Sequence, residues 1–310
     1  MTRLKQVSVF SALLFVVAGI SQCVFADNDR GLDADKIAAA AGTKATTTKD
    51  GVVRIGWART DVAVNVDGMP LQPFAGLGSW AAFTPAPHGA MVMGDTVVFQ
   101  DEVTPAMDAA FEHGLEVTAL HNHFFFDEPK VYFMHIGGTG DSEKLAAAVK
   151  AVWDAVKKVR SENPTPATHF GGQAPKAGTI DASAIEKVLG QKCETQEGVV
   201  KVTIGREGIM HGVKIGGSMG LTTWAAFSGS DELAAVDGDF IMTAKEVQPV
   251  LRALRKAGIH IVALHNHMIG EQPAFMFTHF WGKGSTQELA KGVRAALDAR
   301  AEVAKEARGH

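Results

Sequence analysis

The chain has 310 residues, 46% hydrophobic and 21% charged, the balance of an ordinary globular protein with room for two domains. Its net charge is −4, and no basic or arginine-rich run interleaved with aromatics occurs, so no nucleic-acid partner is expected. Beyond the first residues, no stretch is long and apolar enough to span a membrane.

In chain order, "MTRLK" is a short basic start, and Val7 to Ile20 is an apolar run of 14 residues, too short for a comfortable span. Val24 and Ala26 then give the small-residue spacing of a signal-peptidase site. Residues 1–26 are therefore expected to be a cleaved signal peptide, with the mature protein beginning near Asp27 and residing in the periplasm or outside the cell. No membrane span is expected after cleavage. Cys23 leaves with the signal, and Cys193 is then alone and cannot form an internal disulfide.

The mature chain is duplicated. "GLGSWAAF" from Gly76 returns as "GLTTWAAF" from Gly220, and Gly94-Asp95, Glu102-Val103 and Gly114 return as Gly238-Asp239, Glu246-Val247 and Gly258. The offset is a constant 144 from Gly76 onward and rises to 147 and 148 upstream. A unit this long is a domain rather than a solenoid turn. The division is 32–160 for the first repeat domain, 161–179 for a Pro- and Gly-rich linker, and 180–308 for the second.

Each unit is expected to open with a short helix, Leu32 to Ala41 or Ile180 to Leu189, stopped by Gly42 or Gly190. Short β segments follow ("VVRIGWA", "WAAFTP", "AMVMGDTVVF"). Next comes a helix, which in the second unit begins with the capping-box pair Thr243 and Glu246. Two strands joined by a turn and a long amphipathic helix complete the unit. Hairpins alternating with covering helices define an α+β class: two tandem homologous domains, each a mostly antiparallel sheet covered by helices.

The last strand pair carries the chemistry. "ALHNHFFFDEPKVYFMHI" from Ala119 and "ALHNHMIGEQPAFMFTHF" from Ala263 each hold three histidines. Of the twelve histidines, these six pair at the offset of 144: His121 with His265, His123 with His267, His135 with His279. The other six have no histidine partner there, so the duplication has kept histidine at these positions only. Residues two apart on a strand share a face, which aims His121 and His123 together. Antiparallel counting through a turn near Asp127 places His135 opposite roughly residue 119, within reach of His121 on the same face. Three converging imidazoles, with Glu128 or Glu271 from the turn as an oxygen ligand, suit a divalent transition metal. Zinc is the first choice, with copper, nickel and iron also accommodated. A metal-free pocket for an organic ligand and a purely structural hydrogen-bonding role are the alternatives.

Other paired residues are candidate ligand-binding groups. Trp80 and Trp224 could stack on a ring, or simply pack in the core; Arg59 and Arg206 could hold an anion, or form structural ion pairs. Asp95 and Asp239, each following a glycine, read as turn residues, and Glu102 and Glu246 as helix caps. No nucleophile elbow, HExxH or phosphate loop occurs.

With "WAAF", "GD", "EV", "ALHNHM" and "FTHFWGKG" on the page, the chain resembles the LppY/LpqO-type family of bacterial exported proteins, built from a tandem domain of unknown function. The resemblance covers Leu32 to about Lys305 and implies export and this fold, but no reaction. Function is therefore expected from the histidines: a metal-binding protein, possessing a small-molecule or envelope-polymer partner, or else a metal-free module for a cell-wall or envelope ligand. Phe124 to Phe126 and the two carboxylates of the first turn lead to a further expectation, that the first site is closed and tight while the second is open and reactive.

Overall fold

A computed structural model describes residues 31–306. The expected signal peptide, 1–26, lies outside the described residues. The first repeat contains α1 (Ala34–Ala41), β1 (Ala45–Thr47), β2 (Val53–Ala58), β3 (Asn65–Val66), β4 (Met69–Pro70), β5 (Gly78–Ala86), β6 (Gly89–Phe99), α2 (Val103–Glu112), β7 (Glu116–His121), β8 (Asp127–Glu128), β9 (Val131–Gly140) and α3 (Ser142–Glu162). The second contains α4 (Ala182–Leu189), β10 (Cys193–Gln196), β11 (Val199–Gly205), β12 (Gly208–Met210), β13 (Val213–Ile215), β14 (Thr222–Gly229), β15 (Ala234–Thr243), α5 (Ala244–Lys256), β16 (His260–His265), β17 (Phe275–Gly284) and α6 (Thr286–Glu306).

The expected signals set the element ends. Asp33 caps α1 by accepting from the Asp35 and Lys36 amides at 3.1 Å, and Gly42 ends it in the left-handed region at φ 64°. Asp181 and Gly190 do the same for α4. Thr243 and Glu246 form the capping box of α5.

Large antiparallel pairing dominates, as the α+β reading expects. The strands run β1-β2-β5-β6-β9-β7 through the first repeat and continue as β16-β17-β15-β14-β11-β10 through the second, in one twelve-stranded sheet. The seam is the antiparallel contact of β7 with β16, where Leu120 faces Leu264. These two leucines are the same position of the two copies, so the seam is self-complementary, as in an isologous dimer interface. The repeats are halves of one folded unit sharing one sheet.

Side chains alternate across the sheet. One face carries Ala81, Phe83, Val92, Leu120, Met134 and Ile136 with their second-copy counterparts, and packs on the helices in a single continuous core. Among the described residues, the six α-helices all pack into this core and leave the other face open. At its histidine end, small apolar clusters lie under the loops: Val97, Phe99, Val131 and Phe133 in the first repeat, Ile241, Phe275 and Phe277 in the second. Elsewhere on this face Met91 and Met93 are exposed. Among the described residues no helix is long and apolar enough to cross a membrane.

Candidate metal centre

The antiparallel counting holds: Ala119 pairs with His135, and Ala263 with His279. The register shifts at residue 118 in β7, and at 262 in β16, and this bulge leaves His121 and His265 on the open face with His135 and His279. The strands end at His121 and His265, two residues earlier than alternation alone implies for His123 and His267. The asparagine between the histidines makes the bend. Asn122 donates its amide to Phe124 O at 2.9 Å, and Asn266 to Met268 O at 2.7 Å. The second histidine then lies flat on a phenyl ring: His123 on Phe133 with centroids 3.3 Å apart, His267 on Phe277 at 3.5 Å.

The three rings of each copy gather. His265 is 5.0 Å from His267 and 5.1 Å from His279 between centroids, and one nitrogen from each of the three lies within 4.8 Å of the others. In the first repeat His121 stands 5.1 Å from both His123 and His135, with 3.0 Å between the Nε2 atoms of His121 and His135. Nδ1 of His121 faces Asn122 O, and Nδ1 of His265 faces Asn266 O, each at 3.3 Å. A carbonyl only accepts, so Nδ1 carries the proton and Nε2 keeps its lone pair, the tautomer a metal ligand needs; in His121 that lone pair meets His135 Nε2.

Two aspartates stand next to these groups on the same sheet face, and they lie within strands rather than in the turns expected for them. Asp95 lies within β6 and Asp239 within β15, directly opposite His135 and His279. Both are buried, and Asp239 Oδ2 is 3.6 Å from His267 Nε2. One oxygen of each, Oδ1, has no hydrogen-bond partner. An unpartnered buried carboxylate oxygen is costly unless a cation meets it. Burial pushes the carboxyls of Asp95 and Asp239 above their ordinary range, against the pull of the histidines. Burial, then the neighbouring imidazoles, hold His123 and His267 below theirs. Imidazoles gathered near a buried carboxylate with an unpartnered oxygen form a donor set that a divalent cation would satisfy. The signal for the aspartates was available in the sequence: the Gly-Asp pairs recur at the same offset of 144 as the histidines.

The expected glutamates stand elsewhere. Glu128 is exposed, pairing its backbone with Asn65. Glu271 matches Asp127 rather than Glu128, and each of these two closes its own turn: Asp127 Oδ2 accepts from Val131 N at 2.7 Å and Glu271 Oε1 from Phe275 N at 2.8 Å. Spacing alone favoured the turn carboxylates; backbone amides claim them instead. Phe125 and Phe126 point to solvent, so they do not wall off the first site as expected.

The arginines serve the fold. Arg59 is fully buried, bound to both oxygens of Glu102 at 2.8 and 2.9 Å, to Asp61 and to Val97 O. It is no anion receptor. Arg206 is partly exposed and pairs with Glu246 through a single contact at 2.5 Å. Both glutamates also accept a backbone amide at the helix start, from Phe99 and Thr243. Trp80 and Trp224 sit on the open face opposite Asp95 and Asp239, but Arg54 and Lys201 lie over their rings at 4.9 and 4.4 Å. They wall the sites rather than offering bare platforms. Cys193 is partly buried, and burial raises its thiol pKa, which makes it a poor nucleophile.

Residues 35–155 and 183–299 each match a family described as a domain of unknown function, DUF1259, and the chain belongs to that family as a tandem pair. No curated protein matches the chain. Among solved structures, the trimeric bacterial microcompartment shell protein PduB is similar over 84% of this chain and 92% of its own, at 9% identity and a TM-score of 0.21. EtuB from Clostridium kluyveri covers 84% and 91% at 11% identity and a TM-score of 0.21.

Proposed function

We propose that this is an exported metal-binding protein of the LppY/LpqO type, with one site per repeat: His121, His123, His135 and Asp95 in the first, His265, His267, His279 and Asp239 in the second. The observation that carries this reading is the second repeat, where one nitrogen from each of His265, His267 and His279 lies within 4.8 Å of the others and Asp239 Oδ2 is 3.6 Å from His267 Nε2; the first repeat sets Asp95 opposite His135 in the same register. Three nitrogens and one oxygen suit zinc, and suit copper, nickel or iron. Zinc can expand to five ligands, and the others accept more, so a substrate oxygen can join the protein ligands and the centre can serve a metal-dependent enzyme. When bound, the metal would supply Lewis acidity; the histidines and aspartate would fix its position, and Phe133 and Phe277 would keep water from one side.

The second repeat holds the tighter arrangement, since its three nitrogens already share one small volume. We therefore propose the opposite order of affinities to the one expected. Elemental analysis of protein purified without chelators from its native compartment tests the proposal. About two metal atoms per chain is the expected result, with the second site the last to empty on titration with a chelator. Metal-free protein that also fails to take up zinc in vitro would remove the proposal.

A further inference from the structure

The two copies share their histidines and aspartate but differ beside them. Next to His279 on the open face the second repeat places Asp237, directly opposite Trp281, with Val262 at the bulge. The same positions of the first repeat are Met93, Gly137 and Thr118. The segment between the repeats also treats the copies differently. It crosses the open face of the second one, where Phe170 stacks on His260 at 4.1 Å, and Lys283 Nζ donates to Gly171 O at 2.8 Å. Face and segment border an open cleft of about 610 Å³ whose walls include Phe170, Pro175, Val262 and Trp281. Asp237, His279 and Lys283 are the polar groups that the sheet contributes to its lining. In the first repeat Met93 is 59% exposed, with no segment over it.

A cleft of this size with apolar walls and few polar groups is the usual form of a small-molecule site. Its aromatic walls, Trp281 and Phe170, favour a flat ring. Because His279 lines it, a ring bound there would lie beside one of the proposed metal ligands. Asp237 is exposed on this face, and its carboxylate can accept a hydrogen bond from a hydroxyl group. We propose that the second repeat binds an aromatic molecule bearing hydroxyl oxygens, a phenol or catechol, with its ring between Trp281 and Phe170 and an oxygen directed to the metal. The first repeat, lacking this pocket, binds metal without such a ligand. The inference rests on the metal reading of the same site.

4-Nitrocatechol is a suitable probe, because its visible absorption moves to longer wavelength when a metal displaces its phenolic proton. The mature chain is loaded with zinc, its metal content measured, and the probe titrated by absorbance and calorimetry. One probe molecule per chain with a red shift is expected, and chelator should abolish the shift. Trp281→Gly, which installs the residue of the first repeat, and Phe170→Ala, on the exposed segment, should each weaken binding tenfold or more with zinc content unchanged. Met93→Ala, at the exposed counterpart of Asp237, should leave the affinity as it was. Protein that takes up no zinc overturns the metal reading and the inference together. Protein that holds zinc but gives no shift, binds two probe molecules alike, or is indifferent to both pocket substitutions overturns the inference alone.

Discussion

At the scale of single residues, Asp239 is the group whose role changed most between sequence and structure. A Gly-Asp pair is an ordinary turn signal, and only the strand register shows that Asp239 faces His279 across β15 and β17. The histidines were legible because their pairing was selective; the aspartates shared that pairing but had a bland alternative that local chemistry could not dismiss. Glu128 failed for the opposite reason: its spacing was right, but the backbone turned it to solvent. Asp239→Asn keeps the shape and removes the charge. It should lower zinc affinity at the second site by tenfold or more, while the metal-free protein melts at an unchanged or higher temperature, because a buried uncompensated charge is gone. A competition titration against a zinc indicator and a melting curve read the two halves of this expectation. A lower melting temperature with unchanged affinity would make Asp239 structural.

His260 offers a residue-scale prediction about pH. Its ring bonds Thr104 Oγ1 through Nδ1 at 2.8 Å. Burial, and then Arg255, hold its pKa below the usual histidine range; Lys283 acts in the same direction and Asp108 opposes them. Above that range both folded and unfolded chains carry a neutral ring, so His260 adds no pH dependence. As pH falls through it, the unfolded chain takes up a proton that the folded chain refuses, and stability declines. His260→Gln keeps a polar group beside Thr104 and removes the titration. Urea unfolding of chelator-treated protein at pH 7.5 and 5.5 should show a smaller loss of stability for the variant than for the parent. Equal losses would mean that the folded ring protonates as freely as the unfolded one.

At the scale of elements, the helices and their stops were open to reading from the sequence because caps and periodicity are local signals. The strands were found, but the β-bulges at residues 118 and 262 were not, since nothing in "EVTALH" marks an extra residue. The glycine before each aspartate has a reason that is also non-local. A Cβ on Gly238 would lie 2.1 Å from Phe280 Cζ and 2.5 Å from Trp224 O; on Gly94 it would meet Trp80 O at 2.8 Å. Glycine lets β15 lie close against both neighbours and so sets where Asp239 stands relative to His279. Gly238→Ala must push strands apart. A cost of about 1–3 kcal/mol is expected in denaturant unfolding, with a loss of zinc affinity at the second site larger than at the first. A variant as stable as the parent would show that the neighbouring Phe280 ring gives way without strain.

At the scale of the whole molecule, duplication has made a seam as well as two sites. Leu120 faces Leu264, and continuing that register makes His121 and His265 diagonal neighbours on one face, with Cα atoms about 7–8 Å apart. The sequence reading had two sheets; one sheet forms because β7 and β16 are both open edges of identical pattern, and unpaired edges seek partners. Symmetry alone would let either repeat pair with its own kind, and the flanking contacts oppose this. Arg255 of α5 holds Asp108 of α2 through two bonds of 2.8 and 2.9 Å, Arg252 donates to Phe111 O and Leu115 O, and Gln248 bonds both N and O of Val117. The equivalent of Asp108 in the second repeat is Arg252, and that of Arg255 in the first is Phe111. Two copies of the second repeat would therefore bring arginines together at the seam, and two copies of the first would lack the cation. The charge pattern selects the pairing of unlike repeats. Asp108→Arg should destabilise the chain by on the order of 1 kcal/mol through like-charge contact with Arg255 and Arg252. Arg255→Asp should cost at least as much, because the bond to Ile259 O is lost as well. Combining the two should recover part of the sum, and a double-mutant cycle in urea unfolding measures how much. Strict additivity of the two losses would mean that the Asp108–Arg255 pair does not couple the repeats, and that the apolar leucine contact and the backbone pairing hold the seam without it.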